Sequence, residues 1–148
     1  MSSGLLLDCD QAVAEWAFFH HKLFPMKVDR AFGIISSNKE IVGAALFSSY
    51  NSINAELSYY GKKSVTRGIV RALAKIALYE LRLERCTVIV PKRPSFLLKK
   101  LPKFGFRFEG VQHKYYGRSN ASRHTACRFV LFREDLERLA AEPSRVAA

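Results

Sequence analysis

The sequence predicts an α/β (α+β) fold: a mixed, mostly antiparallel twisted sheet, splayed at a central β–α–β crossover, with helices on both faces. Three observations predict it. Apolar residues recur at helical spacing over 66–83, strand-like runs flank this helix, and the loops between the three preceding strands are too short for crossovers. At 148 residues the chain can bury a sizeable core. We therefore expect one domain over residues 1–141 and a frayed tail over 142–148.

The elements follow one another without a repeat or a linker. A weak first strand precedes a helix over 12–23, with Asp10 as its N-cap and Pro25 as its stop. Turn residues at 37–40 and 51–52 separate the next three strands. The predicted elements after the first helix are strands 31–36, 41–50 and 53–59, helix 66–83, strand 86–90, a short helix over 96–104 interrupted by Pro102, strands 106–116 and 126–133, and helix 135–141.

Positive charge is concentrated in the second half of the chain. The formal net charge is +11, and the segment from Arg85 to Arg133 holds twelve Lys or Arg residues and one acid, Glu109. A basic surface of this kind attracts polyanions or an anionic ligand. A solvated face with no partner is the alternative.

The composition also indicates the cellular compartment in which the protein is expected to act. No stretch approaches about 20 apolar residues, so we expect no membrane span, and the N-terminus lacks a secretory pattern. The three cysteines, Cys9, Cys86 and Cys127, are odd in number and widely spaced, which favours free thiols over disulfides. These features predict a reduced, cytoplasmic protein.

A cationic loop joins the third of these strands to the long helix. Free N–H groups and the positive end of the helix dipole, with Lys62, Lys63 and Arg67 close in sequence, form a candidate anion site. Ser64 or Thr66 can cap the helix and also donate to a phosphate oxygen. A solvated loop before a capped helix is the alternative interpretation.

Two short motifs follow one another in the sequence. The loop before the long helix has Gly68 three residues after Val65 and two before Val70. The segment 101–111 contains Gly105, expected as the left-handed end of a helix, and Phe106, expected as the first core residue of a strand. In this order the two motifs resemble the GCN5-related N-acetyltransferase (GNAT) superfamily over roughly residues 30–133. The first is similar to the pyrophosphate-binding pattern Gln/Arg-x-x-Gly-x-Gly/Ala, and the second to the pattern Lys-Leu-Gly-Phe-x-x-Glu-Gly. The nearest likeness is to small basic variants carried by phages and their bacterial hosts.

The resemblance implies the GNAT fold, acetyl-CoA as cosubstrate, and transfer of its acetyl group to an amine of an unidentified acceptor by direct attack in a ternary complex. Four positions depart from the family pattern: Val65 replaces Gln or Arg, Val70 replaces Gly or Ala, Pro94 replaces Asn, and Leu101 replaces a Tyr that protonates the departing thiolate. Lys63 or Arg67 could restore the lost cation. The acetyl-CoA contacts implied by the resemblance are Leu57, Ser58, Tyr59, Lys62, Lys63, Ser64, Val65, Thr66, Arg67, Gly68 and Ile69.

Candidate catalytic residues follow from the chemistry of amine acetylation. Backbone N–H groups over 57–59 could polarise the thioester carbonyl, and Glu56, the only carboxylate of that strand, is the candidate base. Tyr115 and Tyr116, at the end of a strand, are the candidate acids. The alternatives are a strand Glu paired with a basic neighbour and an aromatic sheet face. The two histidines at 20–21 lack matching ligands, so we expect no metal site.

Two classes of function remain open from the sequence. The first is an active N-acetyltransferase, acting as a monomer or homodimer on an amine of a small molecule or protein, with nucleic acid as a possible partner and no membrane. The second is a GNAT-fold protein without catalysis, serving as a nucleic-acid-binding or phage structural and interaction module. A plain RNA-binding domain of unrelated fold is less favoured, because no RNP-type motif is present. A phage-encoded protein would act in the host cytoplasm or the virion.

Overall fold

The computed structural model describes residues 4–20, 27–61, 65–93 and 96–141. Its framework is a seven-stranded sheet with the strand order β1-β2-β3-β4-β5-β7-β6. Neighbouring strands are antiparallel except β4 and β5, which are parallel and joined by a helical crossover. The strands are β1 (Gly4–Leu6), β2 (Arg30–Ile35), β3 (Ile41–Ser48), β4 (Asn54–Gly61), β5 (Arg85–Pro91), β6 (Arg107–Gln112) and β7 (Ala126–Phe132).

Four α-helices accompany the sheet in the described residues: α1 (Asp10–His20), α2 (Arg67–Lys75), α3 (Phe96–Lys100) and α4 (Arg133–Ala141). A π-helical turn, Ile76–Glu80, continues α2, and a 3-10 turn, Leu101–Phe104, continues α3. A second 3-10 turn, Ser122–His124, precedes β7. The predicted fold class and order of elements are confirmed. No described helix is long and apolar enough to cross a membrane.

The sheet carries a hydrophobic cluster on each face. On one face α1 packs on β2 and β3 through Val13, Ala17 and Leu46. On the other face α2 and α4 cover the sheet, and side chains such as Phe47 and Phe129 form the larger cluster. Cys86 and Cys127 are buried there as free thiols, and Cys9 is also free, as predicted.

Two boundaries differ from the sequence prediction for tertiary reasons. Asp10 is the first residue of α1 rather than its N-cap: the Cys9 carbonyl accepts from Val13 N, and the Asp10 carboxylate accepts from Arg30 Nε (2.8 Å) and Ala31 N (2.9 Å). Strand β6 ends at Gln112 rather than at residue 116. Residues 21–26 and the predicted tail, 142–148, lie outside the described residues.

The parallel strands part before either of them ends. Pairing between β4 and β5 runs from Asn54 opposite Arg85 to Ser58 opposite Ile89. Beyond this point β4 continues beside β3 as far as Gly61, and β5 continues beside β7 as far as Pro91. The sheet is therefore split between β4 and β5 at the carboxyl ends of both strands, where the sequence predicts a splay. Carboxyl ends of parallel strands are a common place for ligand crevices.

Candidate active site

Helix α2 begins beside this split. Thr66 adopts an extended conformation, and its Oγ1 accepts a hydrogen bond from Ile69 N at 3.2 Å, which confirms the predicted cap by this residue. Among the described residues, a Cβ added at Gly68 would meet only Thr66 Oγ1, at 3.8 Å, so this part of the structure leaves open the space beside the first helical turn. The predicted ligands Lys62, Lys63 and Ser64 lie outside the described residues.

Two basic side chains flank the start of α2. Lys100 Nζ donates to the Val65 carbonyl at 3.3 Å and so ties the turn before α2 to the end of α3. The Arg67 guanidinium lies over the Phe104 ring, 5.5 Å from its centroid. Positive charge, open space and a helix N-terminus thus coincide, which is the arrangement that binds phosphate groups.

An apolar cavity of about 60 Å³, partly open to the surface, lies between α2 and the sheet. Leu57 and Tyr59 of β4 line it, and both belong to the face of the sheet that α2 covers. Leu101 also lines it and is buried. The position that holds a hydroxyl donor in the resembled family is therefore part of an apolar wall and offers no proton donor.

Glu56 lies on the opposite face of the sheet, because side chains alternate along β4. Its Oε2 is 3.5 Å from Arg128 Nη2, and the same guanidinium donates through Nη1 to Gln112 Oε1 at 3.0 Å. Both members of the ion pair are a little over one quarter exposed, at 28% for Glu56 and 29% for Arg128. Arg128 is therefore the basic neighbour with which Glu56 pairs in the alternative interpretation of the sequence.

Tyr115 and Tyr116 do not end a strand but lie in the loop between β6 and β7. The His124 carbonyl accepts from both backbone N–H groups, at 2.9 and 3.0 Å, and a positive φ of 57° at Lys114 turns the chain out of β6. The prediction that strand β6 presents them is thus wrong. The loop nevertheless brings both tyrosines to the Glu56 side of the split, with their ring centroids 4.8 Å apart.

Both tyrosine hydroxyls stay protonated near neutral pH. Burial and the negative charge of Glu56 raise the pKa of Tyr115, although Arg128 acts in the opposite direction. Burial and the neighbouring Tyr60 and Tyr115 raise the pKa of Tyr116. The hydroxyls can therefore donate a hydrogen bond or a proton and do not serve as bases at neutral pH.

Tyr60 and Arg128 also belong to this polar cluster but were not predicted from the sequence. Burial raises the pKa of Tyr60 and Tyr115 acts in the same direction, although a hydrogen bond with the Ser58 side chain acts against them. The period-2 alternation along β4 could have placed Tyr60 on the face of Glu56, because the two are four residues apart. No local pattern reveals Arg128, which is 72 residues from its partner.

The backbone at the split differs in one detail from the prediction. Leu57 and Ser58 are still paired with Val88 and Ile89, so of the predicted stretch 57–59 only Tyr59 lies beyond the last paired position. The ladder between β4 and β5 ends with Ser58 opposite Ile89, so the split opens at Tyr59.

Unpaired cations surround the same end of the sheet. Lys92 N donates to the Thr125 carbonyl at 2.8 Å, which joins the loop after β5 to the loop before β7. Within the described parts of the chain, five exposed cations of these two loops form no ion pair with a carboxylate. They are Lys92, Arg93, Lys114, Arg118 and Arg123.

The remaining polar groups point to structural roles. His113 Nδ1 lies 3.2 Å from Thr125 Oγ1, which in turn donates to the Ala121 carbonyl. The described residues contain no group of three or more His, Cys, Asp or Glu residues that could hold a metal ion.

Solved structures share this architecture. Mutant forms of the spermidine/spermine N-acetyltransferase SpeG from Vibrio cholerae align with a TM-score of 0.62 at 14% identity, over 84% of this chain and 77% of theirs. A chimera of that enzyme and hSSAT aligns with a TM-score of 0.59 at 16% identity, over 73% and 70%. The chain has the GNAT fold.

A third structure is similar to the GNAT fold of this chain. The dodecameric spermidine N-acetyltransferase from Vibrio cholerae, in an intermediate state, has a TM-score of 0.56 at 18% identity, over 71% of this chain and 65% of that one. No family model and no curated protein matches the sequence. At these identities the likeness is one of fold, so activity has to be argued from the site.

Proposed function

We propose that this GNAT-fold protein is an acetyl-CoA-dependent N-acetyltransferase that acts on an amine by direct attack in a ternary complex. The observation that carries the proposal is the split between β4 and β5 beside the open N-terminus of α2. A thioester entering from the α2 face would meet an acceptor entering from the Glu56 face at this split. The acetyltransferase activity named for the similar structures is consistent with this use of the fold.

The α2 side of the split fits both the phosphate groups and the thioester arm of acetyl-CoA. Phosphate groups would accept hydrogen bonds from the first turn of α2 near Gly68, with Arg67 and Lys100 adding positive charge. The predicted contacts Lys62, Lys63 and Ser64 complete this group in the proposal. The apolar surface formed by Leu57, Tyr59 and Val65 would receive the thioester arm. The thioester carbonyl would then lie against the backbone of Tyr59.

The transfer forms one bond and breaks another. The acceptor nitrogen attacks the thioester carbonyl, the new C–N bond forms, and the C–S bond breaks as the thiolate leaves. Glu56, directly or through water, would take the proton from the amine, and Tyr115 or Tyr116 would supply one to the thiolate. No oxidant or reductant is needed.

Direct attack is favoured over an acyl-cysteine intermediate. Cys86 lines the cavity, but burial raises its pKa to about 12, so the thiol stays protonated near neutral pH. The thiolate is the nucleophilic form of cysteine. The acetyl group is therefore expected to pass straight to the amine.

Calorimetric titration with acetyl-CoA and with free coenzyme A tests the proposal. The Gly68→Trp variant should lose binding, because an added side chain projects into the open space before α2. A matched control is Gly4→Trp at an exposed position of β1, three strands away from β4, which should bind like the wild-type protein. Absence of heat with the wild-type protein at millimolar ligand would contradict the enzyme proposal.

A second candidate is a GNAT-fold protein without catalysis that binds nucleic acid. The unpaired cations of the loops around Lys92 and Arg123 favour it, as does the apolar Leu101 in place of the family tyrosine. Nucleic acid binding with no affinity for coenzyme A would select this candidate. Affinity for both would instead indicate an enzyme whose acceptor amine is carried on an anionic molecule.

A further inference from the structure

The cavity beside α2 is longer than an acetyl group requires. It begins at the split, where Tyr59 and Val90 lie just past the last paired residues of their strands. It continues to Cys86, which is well inside the paired part of the β4–β5 ladder. On the helix side its lining runs from Ile69 in the first turn of α2 to Ala77 in the π-helical turn that follows.

The lining of this cavity is almost entirely aliphatic and aromatic. Helix α2 contributes Ile69, Leu73 and Ala74, and the π-helical turn contributes Ala77. Leu101 of the neighbouring 3-10 turn lies in the same wall. The alanines matter most for its size, since Ala74 and Ala77 are buried and leave the room that a larger side chain would fill. A single acetyl methyl at the mouth would leave most of this apolar wall without a contact.

We propose that the cavity receives the hydrocarbon chain of acyl-CoA molecules longer than acetyl-CoA, so that short- to medium-chain acyl thioesters serve as donors in addition to acetyl-CoA. The inference rests on the proposed function, because coenzyme A binding at the start of α2 would place the thioester at the mouth of the cavity. The occupant is a straight apolar chain, since the lining offers it no charged side chain. The transfer itself is unchanged: the C–N bond forms and the C–S bond breaks.

The binding of acyl-CoA molecules of increasing length tests this inference without requiring an identified acceptor. Coenzyme A, acetyl-CoA, butanoyl-CoA and hexanoyl-CoA are titrated into the full chain. Burial of each further methylene should tighten binding about fourfold until the cavity is full. The affinity should therefore rise roughly tenfold or more for each added pair of methylenes.

Filling the cavity should remove this dependence on length. In Ala77→Leu the added side chain occupies the far end, so hexanoyl-CoA should lose its advantage while acetyl-CoA binds as before. The matched control is Ala72→Leu, the same change on a partly exposed position of α2 that does not line the cavity. Ala74→Val is a smaller filling variant for use if thermal unfolding shows that Ala77→Leu is not folded.

The outcomes separate the two proposals. Equal affinities for acetyl-CoA and hexanoyl-CoA would overturn the inference and leave the acetyltransferase proposal standing. An equal loss for every ligand in both filling variants would also overturn it, since the effect would then not concern the chain. No affinity for any ligand, free coenzyme A included, would overturn the proposed function and the inference with it.

Discussion

At the residue scale, Glu56 has two possible roles, and its contact with Arg128 separates them. A partly exposed ion pair of this kind contributes only about 0–1 kcal/mol to stability. Glu56 also lies close enough to Tyr115 for its negative charge to raise the pKa of that tyrosine. A carboxylate beside the split could instead accept a proton from an amine. The two roles predict different responses to the loss of either partner.

The Glu56→Gln variant should lower kcat about a hundredfold or more and leave the Kd for acetyl-CoA within about twofold, as loss of a general base does. Steady-state kinetics beside calorimetry measures both. Arg128→Gln removes the same ion pair but keeps the carboxylate, and it should retain most of the turnover. Equal, small effects of the two changes would assign Glu56 a structural role alone.

The tyrosines of the β6–β7 loop give a prediction that depends on pH. A proton donor works only while it is protonated, and burial together with the Glu56 charge raises the pKa of Tyr115 above its ordinary value near 10. Turnover should therefore not fall through deprotonation of Tyr115 as the pH rises to about 10.

The matching variants identify which hydroxyl donates. If one of the two hydroxyls is the general acid, its replacement in Tyr115→Phe or in Tyr116→Phe should lower kcat by about tenfold or more. The other variant should keep its turnover. Tyr79→Phe, at an exposed position beyond α2, serves as the control. Full activity of the double variant, Tyr115→Phe with Tyr116→Phe, would exclude both side chains as acids.

At the element scale, Asp135 holds the start of α4 to the sheet. Its carboxylate is 3% exposed and accepts from Phe132 N (2.9 Å), Arg107 Nη2 (3.1 Å) and Arg138 Nη1 (3.2 Å). The bond to Phe132 N satisfies a donor at the helix N-terminus, as the acidic member of a capping box does. Burial alone would raise the pKa of Asp135, but these hydrogen bonds and the two guanidinium groups outweigh it and lower that pKa.

The Asp135→Asn variant should lose about 1–3 kcal/mol of the free energy of unfolding at neutral pH, since it leaves buried partners poorly satisfied. A lowered pKa in the folded state means that the stabilisation is complete above the ordinary carboxyl pKa near 4. It is lost as the pH falls through the lower folded value. Urea unfolding between pH 7 and pH 3 should show this loss in the wild-type protein and a weaker one in the variant.

Glu134→Gln supplies the comparison for that experiment. Glu134 precedes Asp135 in the first turn of α4 but is exposed, so its removal should change stability by less than about 0.5 kcal/mol. A similar pH dependence in both variants would contradict the assignment of the acid-sensitive step to Asp135.

The order and type of the elements were predictable because hydrophobic periodicity is a local property. The change from strand to helix spacing between β4 and α2, and the left-handed Gly105 (φ 92°) that ends the 3-10 turn, were both predictable from a few neighbouring residues. The predictions were wrong where a group distant in sequence determines the local structure. Arg30 draws the Asp10 carboxylate away from a capping role, and the His124 carbonyl holds Tyr115 outside β6.

At the scale of the whole molecule, the candidate site was predictable in part. The sequence predicted the split and the capped start of α2, because both follow from neighbouring elements of the chain. It could not predict that the split has two different sides, an apolar cavity under α2 and a polar cluster around Glu56. That division depends on which face α1 leaves uncovered and on where the β6–β7 loop returns, and both are properties of packing.

The distribution of positive charge over the whole molecule predicts that a polyanion binds at one end of the sheet. The five unpaired cations of the loops after β5 and before β7 lie at the split end of the sheet, so a polyanion bound there would release counterions. With about five phosphates engaged on single-stranded DNA, log K against log salt should have a slope near −3.5, from roughly −0.7 per phosphate. Fluorescence anisotropy with a labelled oligonucleotide measures this slope.

A pair of charge reversals locates the binding surface. Arg118→Glu with Arg123→Glu should weaken binding and reduce the slope by at least about 1.4, two contacts at roughly 0.7 each. Lys27→Glu with Lys75→Glu changes the net charge equally on exposed positions outside these loops. If both pairs weaken binding alike, the affinity reflects the net charge of +11 rather than this end of the sheet. An effect confined to the first pair would place the bound polyanion on the β6–β7 loop that carries Tyr115, and calorimetry with coenzyme A would then distinguish an anionic acceptor from binding without catalysis.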